Sequence, residues 1–593
     1  MKKLFYSALF AAALTGCSNE TEVVEPVVDP QPEVLPGGEG YVGFSIQLPT
    51  TPGTRANDKF DDGTPVPDEY KVNNATMFIF KGTAEASATF DNAYAMNVNT
   101  FEEQGSSTDQ CTTEGIVSSK ITKPETTSGE NIYAYVIINS NDMINTTAKT
   151  IDGTSYDGLT FADFSKIVLT KLGDLTNGLV MTNAPVANKV GGTSDPGAPG
   201  ATISTLTKLD ADNIFATQAA AEAHPAGEVY MERAAAKVTV ETTGMSGTTT
   251  IGGVTYNTAS IKWTLSNVNS TYYNTRQMSS DWLSFHAQGI GANPNIEGTP
   301  NSATLYRFVS GAAIHDGVYR TYWGEDVNYK TDVTFSVPVT IGEDPGNSVY
   351  TFENTFDLNH QIVKYSTGVA VSATFNGSKS FYIADAYGAN KILQEPAYTG
   401  SEERIQDYIM KYLCNNYTQF KTWYEANTNN KITVTMNNAD PTNAKVTAVT
   451  KVSGADDFLA GFGETEIIAA LNSINFQYYA GGVAYYNVLI KHFGDTETPW
   501  NRDNHTDNSI TGVYKTINGT SLSDDQANNN YLGRYGVVRN NWYKIQITGI
   551  RQIGSPTISG PVGGGDPDDN VDNYLSVKIH ITPWAVRNQS VEL

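Results

Sequence analysis

The end of the chain carries the clearest alternation of apolar and polar residues. Residues 574–593 read YLSVKIHITPWAVRNQSVEL, and the apolar positions of the alternation are Leu575, Val577, Ile579 and Ile581. A period of two is typical of a half-buried β-strand. The preceding residues 560–573 are rich in Gly, Pro and Asp, which predicts a solvated, flexible tether. A strand on such a tether need not pair with its own domain.

A second strand of the same pattern lies near the N-terminus. Residues 41–48 read YVGFSIQL, and the side chains on its apolar face are Val42, Phe44, Ile46 and Leu48. Arg55 and Ala56 follow among small, turn-forming residues, which makes the bond between them an accessible protease site. Cleavage there would remove the strand and open a groove with four apolar sockets. The C-terminal strand of another copy has the spacing to fill that groove.

Other strands are predicted where aromatic and β-branched residues concentrate, at 77–81, 132–140, 238–242, 260–268, 329–341, 378–388, 481–494 and 540–550. A 3.6-residue period predicts one long helix over 402–423 and a shorter helix over 463–474. Short helical segments are predicted around 161–168 and 219–224. Because strands and helices do not alternate in a βαβ series, we expect antiparallel sheets.

Composition adds the cellular setting. Of 593 residues, 11% are aromatic and only 17% are charged, with a formal net charge of −25. This balance suits an extracellular β-rich protein. An acidic surface repels phosphate backbones, so nucleic-acid binding is not expected.

The first residues have the pattern of an export signal. Residues 1–17 read MKKLFYSALFAAALTGC, in which two lysines precede a short apolar run that ends at Cys17. The small residues before Cys17 resemble the bacterial lipobox, whose cysteine is acylated. The alternative is an ordinary secretory signal with a chance cysteine. Residues 18–40 are acidic and Pro-rich, which predicts an extended tether.

Residues that could carry chemistry are sparse. Cys111 and Cys414 are expected to be buried free thiols rather than a disulfide. The seven histidines are widely spaced, and no metal site, cofactor or catalytic residue is predicted. The acidic tether lacks the glycine and glutamate of a calcium loop. Tyrosines at 270–273 and 477–479 could stack on sugars, although packing is the simpler interpretation.

The C-terminal order of motifs carries a family resemblance. A strand at 540–550, a Gly/Pro/Asp tether and the final strand follow one another, and the chain then continues through a Thr582-Pro583-Trp584 turn to a short tail. This order resembles the fimbrillins of Bacteroidia, the type V pilins, and most closely the minor (short) fimbrium major-subunit family. The lipobox, the early strand and Arg55 are similar at the other end. Between these anchors the similarity is diffuse.

The resemblance implies an all-β fold of two transthyretin-like antiparallel β-sandwich domains, with a few short helices and a tethered C-terminal donor strand. Cys17 would be acylated, and an arginine-specific protease would cut between Arg55 and Ala56. The donor strand of one subunit, with Leu575, Val577, Ile579, Ile581 and Trp584, would then replace the first strand of the next. The predicted divisions are a lipoprotein signal peptide (1–16), a removed propeptide (17–55), two sandwiches (56–233 and 234–559), a tether (560–573) and the donor strand (574–593).

The function implied is that of a shaft subunit in a cell-surface fimbria that supports adhesion and biofilm formation. Its partners would be copies of itself, accessory anchor and tip subunits, the maturation protease, and host or bacterial surface receptors. Its precursor would be an outer-membrane lipoprotein. Two alternatives stay open: a monomeric surface lipoprotein that binds glycans, and a tip or anchor subunit.

Overall fold

The structure is a computed structural model. It describes residues 38–49, 67–99, 102–103, 111–188, 202–242, 245, 248–251, 254–257, 260–278, 309–315, 318–321, 323–333, 335, 340–357, 360, 364–388, 390–492, 516–517, 520–521, 533, 535–558, 578–582 and 585–592.

The N-terminal part is built mainly of strands. The strands are β1 (Glu39–Pro49), β2 (Ala75–Gly82), β3 (Thr89–Val98), β4 (Glu102–Glu103), β5 (Cys111–Thr122), β6 (Asn131–Ile138), β7 (Ile144–Asn145), β8 (Thr150–Ile151), β9 (Thr154–Ser155), β10 (Val168–Leu169), β11 (Gly173–Asp174), β12 (Gly178–Leu179), β13 (Met181–Asn183), β14 (Val186–Asn188), β15 (Thr202–Ser204), β16 (Thr207–Leu209) and β17 (Glu228–Arg233). The helices are α1 (Phe161–Phe164) and α2 (Gln218–Ala223), with 3₁₀ turns at Pro67–Tyr70 and Ala211–Asn213.

These strands close into a ring. Their order is β1-β17-β13-β6-β2-β3-β5, and β5 pairs with β1 again. All pairs are antiparallel except β1 with β17, which run parallel. The inward residues form one apolar core that includes Val42, Phe44, Ile46, Met77, Ile79, Val117, Val136, Ile138, Val229 and Met231. Strand β1 is therefore a structural part of the N-terminal core.

The outer face of β2 and β6 carries an aromatic layer. Phe78 and Phe80 point away from the ring, and Phe78 lies 5.0 Å from Phe164 of α1 between ring centres. Tyr135 of β6 packs against the same Phe164 ring at 5.4 Å. Because β2 is buried on both faces, its sequence is continuously apolar rather than alternating.

The C-terminal part contains more numerous short strands. They are β18 (Ala236–Glu241), β19 (Thr248–Ile251), β20 (Val254–Asn257), β21 (Lys262–Ser266), β22 (Tyr272–Tyr273), β23 (Val309–His315), β24 (Val318–Thr321), β25 (Ser348–Thr351), β26 (Gly368–Thr374), β27 (Phe381–Ala384), β28 (Leu393–Gln394), β29 (Ile432–Asn437), β30 (Lys445–Lys451), β31 (Phe476–Tyr479), β32 (Val483–Leu489), β33 (Thr516–Ile517), β34 (Thr520–Ser521), β35 (Asn541–Gly549), β36 (Lys578–Thr582) and β37 (Ala585–Glu592). The helices are α3 (Ile405–Asn416), α4 (Thr418–Ala426) and α5 (Glu464–Asn472), with 3₁₀ turns at Asn376–Ser378 and Ala480–Gly482.

Two sheets share the C-terminal core. The sheet β25-β18-β35-β36-β37 contributes Val238, Val240, Tyr543 and Ile545, and the sheet β21-β26-β32 contributes Trp263 and Val371. Strands β18 and β35 run parallel, as do β35 and β37, among otherwise antiparallel pairs. The all-β class is confirmed, with these parallel pairs as an addition to the expected antiparallel sheets.

The helical region between β27 and β31 differs from the single long helix that the sequence predicts. The helix breaks at Tyr417, whose backbone is extended (φ −131°, ψ 105°). The Tyr417 ring lies 4.9 Å from the Phe462 ring, and its neighbours Asn415 and Asn416 are weak helix formers. Two shorter helices replace the one expected over 402–423.

The predictions for the cysteines, for residues 329–341 and for the second helix can also be compared with the structure. Cys414 is free, as expected, but it is only half-buried rather than buried. The side chain of Cys111 lies outside what the structure describes. No strand is assigned to the described residues of 329–341, where a turn occupies 327–330. The helix predicted over 463–474 is present as α5.

Buried ion pairs join the two parts of the chain near 231–241. Lys237 of β18 lies 2.6 Å from Glu69, and their side chains are 3% and 1% exposed. The hydroxyl of Tyr350 donates to the same Glu69 carboxylate. Arg276 lies 2.9 Å from Glu232 of β17 in a second buried pair. Burying charged groups is costly unless each has its partner, so these pairs hold the parts in one arrangement.

We predict that Lys237→Met destabilises the chain by about 3–5 kcal/mol, because the Glu69 carboxylate is left buried without its cation. The measurement is the free energy of chemical unfolding, monitored by tryptophan fluorescence. The matched control is Lys149→Met, whose exposed pair with Asp157 at 2.7 Å should be worth about 0–1 kcal/mol. Equal losses from the two variants would contradict the role given to the buried pair.

Candidate functional site at the first strand

Strand β1 is paired along both edges. On one side it runs antiparallel to β5 from Glu39 opposite Thr122 to Leu48 opposite Thr113. On the other side Ser45, Ile46 and Gln47 pair with the start of β17. The closed ring therefore offers no open edge at β1.

The backbone groups of β1 alternate between these two sides. The Tyr41 N–H donates to the Phe215 carbonyl at 2.7 Å, and the Gly43 carbonyl accepts from the Ala226 N–H at 2.8 Å. The Ser45 N–H donates toward the same side. Residues 41, 43 and 45 thus bond toward the 215–227 segment, and the residues between them bond to β5.

The inner face of β1 fills a set of apolar sockets. Val42, Phe44 and Ile46 are each 0% exposed. Burying each such side chain stabilises the fold by about 1.5–3 kcal/mol. The side chain of Leu48 lies outside the described residues. Three of the four predicted socket residues thus lie together in the core.

The outer face of β1 is covered by helix α2. A Cβ atom at Gly43 would lie 2.4 Å from the carbonyl oxygen of Ala221, so only glycine allows this approach. Ser118, the β5 partner of Gly43, donates to the Glu222 carboxylate of α2 at 2.7 Å. Helix α2 therefore forms a roof over the strand.

The roof carries a charged carboxylate. Burial opposes ionisation of Glu222, but hydrogen bonds from Gln218, Ser118 and Asn99 outweigh it and lower the pKa of this carboxyl. An ionised carboxylate is a strong hydrogen-bond acceptor. It therefore holds α2 against β5 at neutral pH.

The predicted donor residues lie elsewhere in the single chain. Strand β36 pairs antiparallel with β35, with Ile579 opposite Ile545 and Ile581 opposite Tyr543. It also pairs with β37. With β1 in place, the edge of β35 is where the C-terminal strand lies within one copy.

Several predicted residues fall outside the described part of the chain: Cys17, Arg55, Ala56, Leu575, Val577 and Trp584. The structure brings Val42, Phe44 and Ile46 together, and it places Ile579 and Ile581 on a different sheet. Their proposed roles in assembly stay predictions.

Sequence reasoning predicted a helix around 219–224, which is present as α2, but it missed the position of α2 over β1 and the close approach at Gly43. A signal was present, since glycine inside an alternating strand often marks a close backbone approach. It also missed Ile214, which fills the inward space beside Gly40: a Cβ there would lie 2.5 Å from Ile214 Cγ2.

Potential metal ligands are not grouped in the described part of the chain. Among the residues that the structure describes, no three His, Cys, Asp or Glu side chains lie together as a metal site. Within the same residues, no helix has the length and apolar character needed to cross a bilayer.

Comparison with known families identifies the C-terminal region. Residues 511–590 match the family described as "Major fimbrial subunit protein type IV, Fimbrillin, C-terminal". Residues 511–590 are thus similar to the C-terminal part of fimbrillins, and we call them the fimbrillin region. The fimbrillin region includes β35, β36 and most of β37, which are the strands on which the resemblance was based. The finer placement within the short-fimbrium subunits stays a prediction.

Solved structures give weaker similarities. A putative cell adhesion protein from Parabacteroides distasonis is 10% identical over 93% of this chain and 98% of its own, with a TM-score of 0.29. The tip fimbrial protein Mfa3 from Porphyromonas gingivalis is 11% identical over 57% and 79%, with a TM-score of 0.24. Among curated proteins, no relative matches the sequence. Because these TM-scores are low, we base the proposed function on the fimbrillin region and on the geometry of β1.

We predict that Gly43→Ala destabilises the N-terminal ring by about 1–3 kcal/mol, because the added methyl group presses on the α2 backbone. Chemical unfolding of the uncleaved chain measures this loss. Gly342→Ala is the matched control, since a Cβ there meets no atom within 4 Å. An unchanged stability for Gly43→Ala would mean that α2 does not press on β1.

Proposed function

We propose that the chain is a structural shaft subunit of a cell-surface fimbria. The observation that carries the proposal is that β1 is at once a core strand and the segment just before Arg55. The fimbrillin region at 511–590 supports the same class of function.

Cleavage after Arg55 changes the state of the ring. Before cleavage, β1 satisfies the edges of β5 and β17 and the inner sockets. An open sheet edge invites pairing with another chain, so the precursor is monomeric while β1 is present. After β1 leaves, two strand edges and the apolar sockets are exposed together.

The C-terminal strand of a second copy restores what was lost. Strand addition supplies main-chain hydrogen bonds, and Leu575, Val577, Ile579 and Ile581 refill the sockets. Burying four aliphatic side chains contributes about 6–12 kcal/mol, which the ordering of the tail partly offsets. The contact is head-to-tail and so propagates into a filament. Exchange requires β36 to leave its own β35.

The rest of the proposed pathway is what the family resemblance implies. The precursor is exported as a lipoprotein acylated at Cys17 and reaches the outer membrane. An arginine-specific protease removes residues 17–55, leaving domains 56–233 and 234–559. Anchor and tip subunits complete the fibre, which contacts surface receptors. In this proposal the protein is structural and not an enzyme.

Two of the four tyrosines that suggested the glycan-binding alternative are buried, while Tyr273 and Tyr478 are partly exposed. Tyr272 is fully buried, and its hydroxyl donates to the Lys171 carbonyl. Tyr479 is buried and donates to the Gly554 carbonyl. Both side chains are packed inside the protein. A tyrosine that stacks on a bound sugar would instead face outward. A tip or anchor subunit stays the second candidate, because it shares the fimbrillin region.

We predict that Ile579→Asp blocks polymerisation, because a carboxylate in an apolar socket is not solvated. Polymerisation of the cleaved full chain is measured by sedimentation and electron microscopy. His580→Asp is the matched control, since it places the same charge on the opposite face of the same strand. Fibres of normal length from Ile579→Asp would overturn the donor-strand assignment.

A further inference from the structure

Helix α2 restricts what can replace β1. The Ala221 carbonyl oxygen would lie only 2.4 Å from a Cβ at position 43, and the Ala221 carbonyl carbon 2.9 Å. Both atoms belong to the backbone, so no side-chain rotation relieves the contact. The strand that takes the place of β1 must therefore present a small residue beneath Ala221.

One residue of the donor segment comes nearest to this requirement. The polar positions that alternate with the apolar residues are Ser576, Lys578, His580 and Thr582. The chain has no glycine from 574 to 593, so α2 must lift slightly for any of them. Serine demands the least movement, because its side chain extends only one atom beyond Cβ.

We propose that α2 sets the register of strand exchange and that Ser576 of the incoming copy lies beneath Ala221. This inference rests on the proposed function. It aligns Leu575, Val577, Ile579 and Ile581 with the places of Val42, Phe44, Ile46 and Leu48, in the same strand direction.

Every other register either puts a larger residue beneath Ala221 or leaves a socket without an apolar residue. A shift of two residues puts Lys578 or Tyr574 beneath Ala221. In the reversed direction, registers that fill three or four sockets with aliphatic residues place His580, Lys578 or Thr582 there, and each of these side chains is larger than serine. Reversal with Ser576 beneath Ala221 puts Asn573 at the place of Ile46. One alignment fills all four sockets with aliphatic residues and places serine beneath Ala221.

The pairing of β1 with β5 offers a direct test. Gly43 bonds toward the 215–227 segment, so it and Ser118 form a non-hydrogen-bonded antiparallel pair. Cβ atoms in such pairs lie about 4.5 Å apart, at the edge of what a disulfide spans. Cysteines at 118 and 576 should therefore cross-link two subunits in the proposed register.

The experiment uses the full chain with Cys17, Cys111 and Cys414 replaced by serine. One variant carries Ser118→Cys with Ser576→Cys, and the matched control carries Ser118→Cys with Lys578→Cys. Each is cleaved after Arg55 by an arginine-specific protease, polymerised, oxidised and run on a non-reducing gel. We expect a covalent ladder from the first variant only, and none before cleavage.

The outcomes separate the register from the proposed function. A ladder from the Lys578→Cys pair alone, with polymers present, overturns the register and leaves strand exchange intact. Polymers without a ladder from either pair overturn the proposal that the donor strand lies beside β5 under α2. Failure of the cysteine-free parent to polymerise after cleavage overturns the proposed function, and the register inference with it.

Discussion

The N-terminal part of the molecule depends on the pairing of β1 between β5 and β17. This pairing closes the ring, and it seats Val42, Phe44 and Ile46 in the core. Without it, two strand edges and the apolar sockets would face water together. A closed sheet hides its edges. In the proposed function, a single cut would open this ring, so the stability of the precursor and the reactivity of the cleaved subunit would have one physical source.

The link between the two parts of the chain has a different character. Lys237 with Glu69 and Arg276 with Glu232 are buried ion pairs, and they are accompanied by apolar contacts such as that of Leu179 with Trp542. Such pairs fix geometry because a displaced partner leaves a charge without solvent. In the proposed filament, these pairs would connect the donor and acceptor ends of each subunit.

Much of this arrangement could be predicted from the sequence. The alternation of Val42, Phe44 and Ile46 predicts a half-buried strand, and the nearly continuous apolar run over 132–140 predicts a central strand, which is present as β6. Helix α2 is predicted around 219–224, but its position over β1 could not be predicted, because the contact with Gly43 joins residues distant in sequence. The break at Tyr417 depends on packing against Phe462, which outweighs the local helical period. The parallel pairs of β1 and β35 reflect topology that local patterns do not encode.

The most direct test of strand removal is the N-terminus of the protein taken from the cell surface. N-terminal sequencing together with mass spectrometry of the intact chain gives both the first residue and any acyl group. Strand exchange predicts that mature protein begins at Ala56 and carries no lipid. An acylated Cys17 in all of the mature protein would mean that β1 stays in the ring, and the shaft assignment would be wrong.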